Sequence, residues 1–171
     1  NPVINRYEYY KFTIFAQLFC NIAKLTNHNQ TALIFMKLVF ATHNPNKFKE
    51  VVQLLPPSIQ LLSLNDIGCL DEIPETGKTL EENAKLKADF VTKNYGLPCF
   101  ADDTGLLVDA LHGAPGIHSA RYAGVQRNSE DNIDKLLDKL KDTPHRSARF
   151  KTIIALNMEN QSILFSGVVE G

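Results

Sequence analysis

The chain has 171 residues, 44% hydrophobic and 22% charged, a composition that suits one soluble globular domain and excludes a disordered or fibrous chain. A formal net charge of −1 provides no basic field for nucleic acid or an anionic membrane surface, although a few local cations suffice to hold a small anion. The three cysteines (Cys20, Cys69, Cys99) form no CxxC pair and are odd in number, which argues against a disulfide framework or thiolate zinc site and for a cytoplasmic protein.

The first methionine is Met36, and the residues before it differ from the rest. Positions 1–35 hold no Gly, no Asp and one acidic residue, Glu8, while Asn, Ile, Phe, Tyr and Lys fill 18 of the 35. These five residues have AT-rich codons, so 1–35 reads as an extension outside the native domain, which is expected to span 36–171. Lys11 followed by the apolar stretch Phe12–Cys20 has the outline of a short signal segment. The small residues of a cleavage site are weak there, and apolar residues resume after Asn21. A helix packed on the domain is the remaining reading. No apolar run reaches the roughly 18 residues that span a bilayer.

From Met36 the pattern alternates between strand and helix. Met36–Thr42 is a short apolar, β-prone run that ends at the polar His43-Asn44-Pro45-Asn46. Lys47–Leu55 follows as an amphipathic helix, with Phe48, Val51, Val52 and Leu55 on one face and Pro56-Pro57 as its stop. The turn between them, Thr42-His43-Asn44-Pro45-Asn46-Lys47, lies where α/β proteins gather ligands. A helix N-terminus there offers unpaired N–H groups to a phosphate, Thr42 and Asn44 add neutral donors, and Lys47 adds a cation. The plain alternative is a polar turn with an Asn-Pro breaker, and the glycines of a Walker loop are missing.

Ile59–Leu64 reads as a second strand. Thr79 opens the next helix through a T-x-x-E capping box with Glu82, and Gly96 ends it after about Asn94. Ahead of it, Glu75 sits in a Thr-Gly turn from which its carboxylate could face a shared site. Leu97–Ala101 reads as a third strand, broken by Asp102-Asp103-Thr104-Gly105. Two adjacent carboxylates at the end of an apolar strand are hard to explain by packing, because buried carboxylates need cations, metal or donors. Hard oxygen ligands suit Mg²⁺, and a carboxylate so placed can take the proton of an attacking water. The competing account is a turn in which the Asp side chains cap local amides.

Gly113-Ala114-Pro115-Gly116 is a tight loop leading to Arg121, which could hold a phosphate or pin a carboxylate. Ser129 caps a third helix with Ile133, Leu136, Leu137 and Leu140 as its inner face, and Arg149–Leu156 with Ile163–Val169 suggests a hairpin around Asn157–Gln161. The whole predicts an α/β domain with helices flanking a sheet.

Three segments in order, ATHNPNKFKE (41–50), ETGKTLEENAKLKA (75–88) and ADDTGLLVDALHGAPGIHSARYAG (101–124), give the chain a resemblance to the Ham1 family of inosine/xanthosine triphosphate pyrophosphatases over about 36–171. The resemblance implies an elongated α/β fold with a long central mixed sheet flanked by helices, and a homodimer. It implies Mg²⁺-dependent hydrolysis of dITP, ITP or XTP to the monophosphate and pyrophosphate, removing non-standard purines from the nucleotide pool. By position, Thr42, His43, Asn44, Pro45, Asn46 and Lys47 would bind the substrate and Thr104 would touch it. Asp103 would hold the metal and accept the water proton, and Asp102 would support them. Beside these, Glu75 is the candidate second metal ligand, and Glu82 and Arg121 are candidate supporting residues.

Two departures matter. Many relatives carry a metal-ligating carboxylate immediately before the Glu-Thr-Gly, where this chain has Pro74, so the role would pass to Glu75 or be lost. The family also continues past the position of Gly171 with Phe-Gly-Tyr-Asp and Ser-His-Arg segments that read the base. The sheet and the base pocket are therefore expected to be incomplete at the C-terminus, and a catalytically weak nucleotide-binding or dimerisation module is the alternative function.

Overall fold

The computed structural model describes residues 13–22 and 36–171. Residues 13–22 form helix α1. There follow β1 (Met36–Phe40), α2 (Pro45–Val52), β2 (Ile59–Leu62), α3 (Leu80–Tyr95), β3 (Cys99–Val108), β4 (Pro115–Gly116), α4 (Ser129–Lys139), β5 (Ala148–Met158) and β6 (Gln161–Glu170). Among these residues the sheet runs β2-β1-β3-β5-β6, with β4 against the far end of β3. The β2-β1-β3 part is parallel and the rest antiparallel, a mixed sheet as expected.

The order 2-1-3 positions the site. The chain leaves β1 for β2 on one side and then crosses over β1 to β3 on the other. Right-handed crossovers in opposite directions put their helices on opposite faces. Thus α3 covers Val39, Ala101, Ile153 and Ala155, while Phe48 and Val51 of α2 pack with Phe40, Phe100, Ile154 and Leu156. The crevice left at the carboxyl end of β1 is the ligand position of such sheets.

Helix α1 completes the second face. Ile14, Phe15, Leu18 and Ile22 lie on one side of it, and all four are buried against Phe40, Phe100 and Phe165. Phe40 and Phe100 stack with ring centres 4.5 Å apart, and Phe15 meets Phe100 edge-on at 6.2 Å. The assignment of 1–35 to an extension outside the domain remains a proposal; residues 1–12 and 23–35 lie outside the described residues. Leu18 is completely buried, so Leu18→Ala is expected to cost about 2–4 kcal/mol in urea denaturation. A cost near zero would mean that α1 does not contribute to the folded domain.

Four elements differ from the sequence reading. Helix α2 starts at Pro45 rather than Lys47, because the Asn44 side chain caps it by accepting the N–H groups of Asn46 and Lys47, and it ends at Val52. Strand β3 does not break at Asp102 but continues to Val108, since β5 pairs with all ten of its residues. Helix α4 is capped by Asn128, not Ser129, and of its expected inner face only Leu140 is buried, with Ile133 and Leu137 about half exposed. The β5–β6 turn shrinks to Glu159-Asn160, both at positive φ (52° and 59°), the backbone that a two-residue hairpin demands.

Candidate active site

A cleft of about 720 Å³ opens where β1 ends, a size that accommodates a nucleotide-like ligand. Pairing of β1 with β3 stops at Phe40 and Phe100 and β4 takes up that edge only at Leu106, so between them the edge of β3 faces the cleft. Strand geometry turns consecutive side chains to opposite faces. The two adjacent carboxylates therefore serve different environments.

Asp102 points to the α2 face and is only 6% exposed. Its Oδ2 accepts a hydrogen bond from Lys47 Nζ at 2.5 Å and a longer one, 3.4 Å, from Thr104 Oγ1. Burial pushes its pKa up, but the ammonium groups of Lys47 and Lys87 with these hydrogen bonds outweigh burial and hold it below the ordinary carboxylate value. Asp103 points to the α3 face, where Lys87 Nζ lies 3.7 Å from its Oδ1. Its Oδ2 is buried without a hydrogen-bond partner. Burial, helped by the charges of Glu75 and Asp102, raises its pKa, and Lys87 offsets only part of this.

Glu75 enters from the loop before α3. Lys87 Nζ donates to its Oε1 at 3.1 Å and Arg121 Nη1 to its Oε2 at 3.4 Å. Burial raises its pKa, and these two cations together bring it below normal. The loop is fixed by Asn83, whose Oδ1 accepts the Gly77 N–H at 2.8 Å. A Cβ on Gly77 would come within 2.7 Å of that oxygen, so only glycine allows the approach.

Of the expected residues, Thr42, His43, Asn44, Lys47, Glu75, Asp102, Asp103, Thr104 and Arg121 all line this cleft. Pro45 and Asn46 do not; they are exposed at the start of α2. Asn44 caps α2 with its oxygen, so two N–H groups expected to be open for a phosphate are already taken. Glu82 also lies outside the cleft, and its carboxylate accepts the Lys78 N–H at 2.6 Å rather than that of Thr79. Arg121 is seen pinning a carboxylate, the second of its two readings.

Lys87, which follows Glu75, Glu82 and Asn83 in one sequence motif, carries no site role in the sequence reading. It lies one turn after Asn83 on the buried face of α3, among Leu80, Ala84, Ala88 and Val91. A polar pair at i, i+4 within an apolar stripe was the available signal. Lys87 Nζ also donates to the Asp102 carbonyl oxygen at 2.5 Å, so one buried ammonium ties the Asp pair to Glu75.

The paired carboxylates have opposite linkage signs. Asp102 and Glu75, with depressed folded pKa, contribute stability above their unfolded values that is lost as pH falls through the folded ones. Asp103, with a raised pKa, favours the fold only while protonated, and its charge costs stability at neutral pH. Carboxyl NMR titration of the metal-free protein is expected to place Asp103 above the ordinary aspartate value and Asp102 and Glu75 below theirs. The reverse order for the two aspartates would contradict this electrostatic account.

Sequence and structure comparisons give the chain's relatives. The Ham1 family model matches residues 38–171. A dITP/XTP pyrophosphatase of Christiangramia forsetii is 60% identical over 136 residues, covering 80% of this chain and 72% of its own. One from Bacillus subtilis is 43% identical over 143 residues, covering 81% and 72%. Among solved structures, the Staphylococcus aureus Ham1 protein superposes with a TM-score of 0.74 at 38% identity, covering 79% of this chain and 70% of that one. The Mycobacterium abscessus nucleoside-triphosphatase / dITP/XTP pyrophosphatase gives 0.70 at 40% identity, covering 80% and 73%. Motif order, fold and relatives coincide over the same residues, and the chain belongs to the Ham1 family.

Proposed function

We propose that this cleft carries out the hydrolysis of non-standard purine nucleoside triphosphates (dITP, ITP and XTP) to nucleoside monophosphate and pyrophosphate. The protein is a nucleoside-triphosphate pyrophosphatase, a hydrolase acting on acid anhydrides, as its relatives' names indicate. The observation that carries the assignment of roles is the partnerless, buried Oδ2 of Asp103 beside Glu75. Such an oxygen calls for a cation or a proton donor, and a divalent ion supplies the first while an attacking water supplies the second.

The chemistry follows from the placement. A triphosphate lies along Thr42, His43, Asn44 and Lys47 with Thr104 at its edge, and Lys47 neutralises phosphate oxygens. Water attacks the α-phosphorus, its proton passes to Asp103, and the bond to the bridging oxygen breaks to release pyrophosphate. Asp103 and Glu75 are the residues that would hold Mg²⁺, which when bound adds charge neutralisation on the phosphate oxygens. Two carboxylates suit that ion, which takes its remaining ligands from phosphate and water. Among the described residues no cluster of three His, Cys, Asp or Glu is preassembled.

The test is pyrophosphate release from ITP, XTP and GTP with Mg²⁺. ITP and XTP are expected to be turned over with pyrophosphate as the product, and preference over GTP is expected where the Phe-Gly-Tyr-Asp and Ser-His-Arg segments are also present. Release of orthophosphate, or no turnover of ITP and XTP with those segments present, would overturn the reading. A homodimer in the cytoplasm belongs to the same proposal, supported by the family resemblance and by three unpaired cysteines. No helix among the described residues is long and apolar enough to cross a membrane.

A further inference from the structure

One polar side chain behind the cleft has no place in the mechanism above. Along β5 the side chains facing α2 are Phe150, Thr152, Ile154, Leu156 and Met158, an apolar stripe interrupted by Thr152. Thr152 is only 8% exposed and does not line the cleft. A valine would fill the same space, and a buried hydroxyl is costly without a partner. A partner is Thr104, directly opposite in register on β3, with the two hydroxyl oxygens 2.9 Å apart.

The direction of this bond follows from what lies beyond it. Thr104 Oγ1 also reaches Asp102 Oδ2, and the ionised Asp102 can only accept. The single Thr104 proton therefore points to Asp102, and Thr152 donates to Thr104. A file results: Thr152 to Thr104 to Asp102, with Lys47 donating to the same Asp102 oxygen from the other side. The Thr104–Asp102 contact is long at 3.4 Å, so the shorter bond from Thr152 sets the Thr104 rotamer. We infer that Thr152 is a positioning residue for the reaction, aiming the Thr104 hydroxyl proton into the cleft, where an arriving triphosphate oxygen takes it over from Asp102.

This rests on the proposed triphosphate site and predicts an order of activities that packing would reverse. Thr152→Val keeps the volume and loses the hydroxyl; Thr152→Ser keeps the hydroxyl and loses a methyl group. With ITP and Mg²⁺, Thr152→Val is expected to raise KM about tenfold, the low end for loss of a supporting hydrogen bond, with kcat changed less. Thr152→Ser should stay within about twofold of the parent, even where its Tm falls below that of Thr152→Val. Added to Thr104→Val, the Thr152→Val change should have no further effect, because it acts through the lost hydroxyl. Calorimetric binding of ITP without metal should rank the proteins in the same order.

Thr152→Val kinetics equal to those of an active parent, or Thr152→Ser impaired more than Thr152→Val, would overturn the inference while leaving the function standing. A parent that neither binds nor hydrolyses ITP would overturn the function, and this inference with it.

Discussion

Asp103→Asn is expected to lower kcat for pyrophosphate release from ITP by about a thousandfold or more, the scale of a lost general base, while ITP binding changes little. The substitution keeps shape and hydrogen-bonding capacity but removes the proton acceptor and one anionic metal ligand. The same change should leave Tm of the metal-free protein unaltered or raise it. The charge on Asp103 sits in a half-closed site with Glu75 and Asp102 nearby, and its raised pKa means that ionisation opposes folding at neutral pH. Loss of turnover with gain of stability is the signature of a group held for chemistry. Steady-state kinetics, calorimetric binding of ITP and a thermal melt measure the three parts. If turnover survives within tenfold, Asp103 is not the proton acceptor.

Lys47→Met should act on fold and ligand together. Asp102 is buried, and its main partner is the Lys47 ammonium at 2.5 Å. Removing one partner of a buried pair costs about 3–5 kcal/mol, and because Lys47 is itself 38% exposed, water can replace part of it, leaving about 2 kcal/mol. The pH dependence gives the sign. Stability owed to Asp102 is present above its unfolded pKa and is lost as pH falls through its depressed folded value. Without Lys47 that folded value rises, so the acid limb of the stability curve should move to higher pH. Adding Asp102→Asn should restore much of the stability, because no unpaired charge then remains buried. Nucleotide affinity should not return, since the cation facing the phosphates is still missing. If the double variant binds ITP as tightly as the parent does, Lys47 has only a structural role.

The legible part of this protein was local. The apolar run that begins at Met36, and Thr79 and Gly96 at the two ends of α3, act within a few residues of themselves. Their positions follow from backbone hydrogen-bonding needs that any context preserves. The Asp pair could be identified as a site for the same reason: carboxylates at the end of an apolar strand have no packing role to fill. The resemblance then supplied order and spacing across three segments. Less legible was where elements stop. Asp102-Asp103-Thr104-Gly105 has the composition of a turn, yet it is strand, because β5 supplies partners over its whole length from about 50 residues away in sequence. Helix α4 reads as having a full inner face, but the described elements bury only Leu140.

By itself, then, the sequence determined the α/β class and both ends of α3, and it brought Lys47, Glu75, Asp102 and Asp103 forward as candidates for one chemical site. Only the tertiary structure decided how these groups divide their work. Strand geometry turns Asp102 toward Lys47 and Asp103 toward Glu75; burial raises both pKa values, and the ammonium groups beside Asp102 outweigh it there but not at Asp103. It also decided that Lys87 joins the site and that Thr152 stands behind it. Both depend on contacts between α3, β3 and β5, whose distances no local pattern encodes.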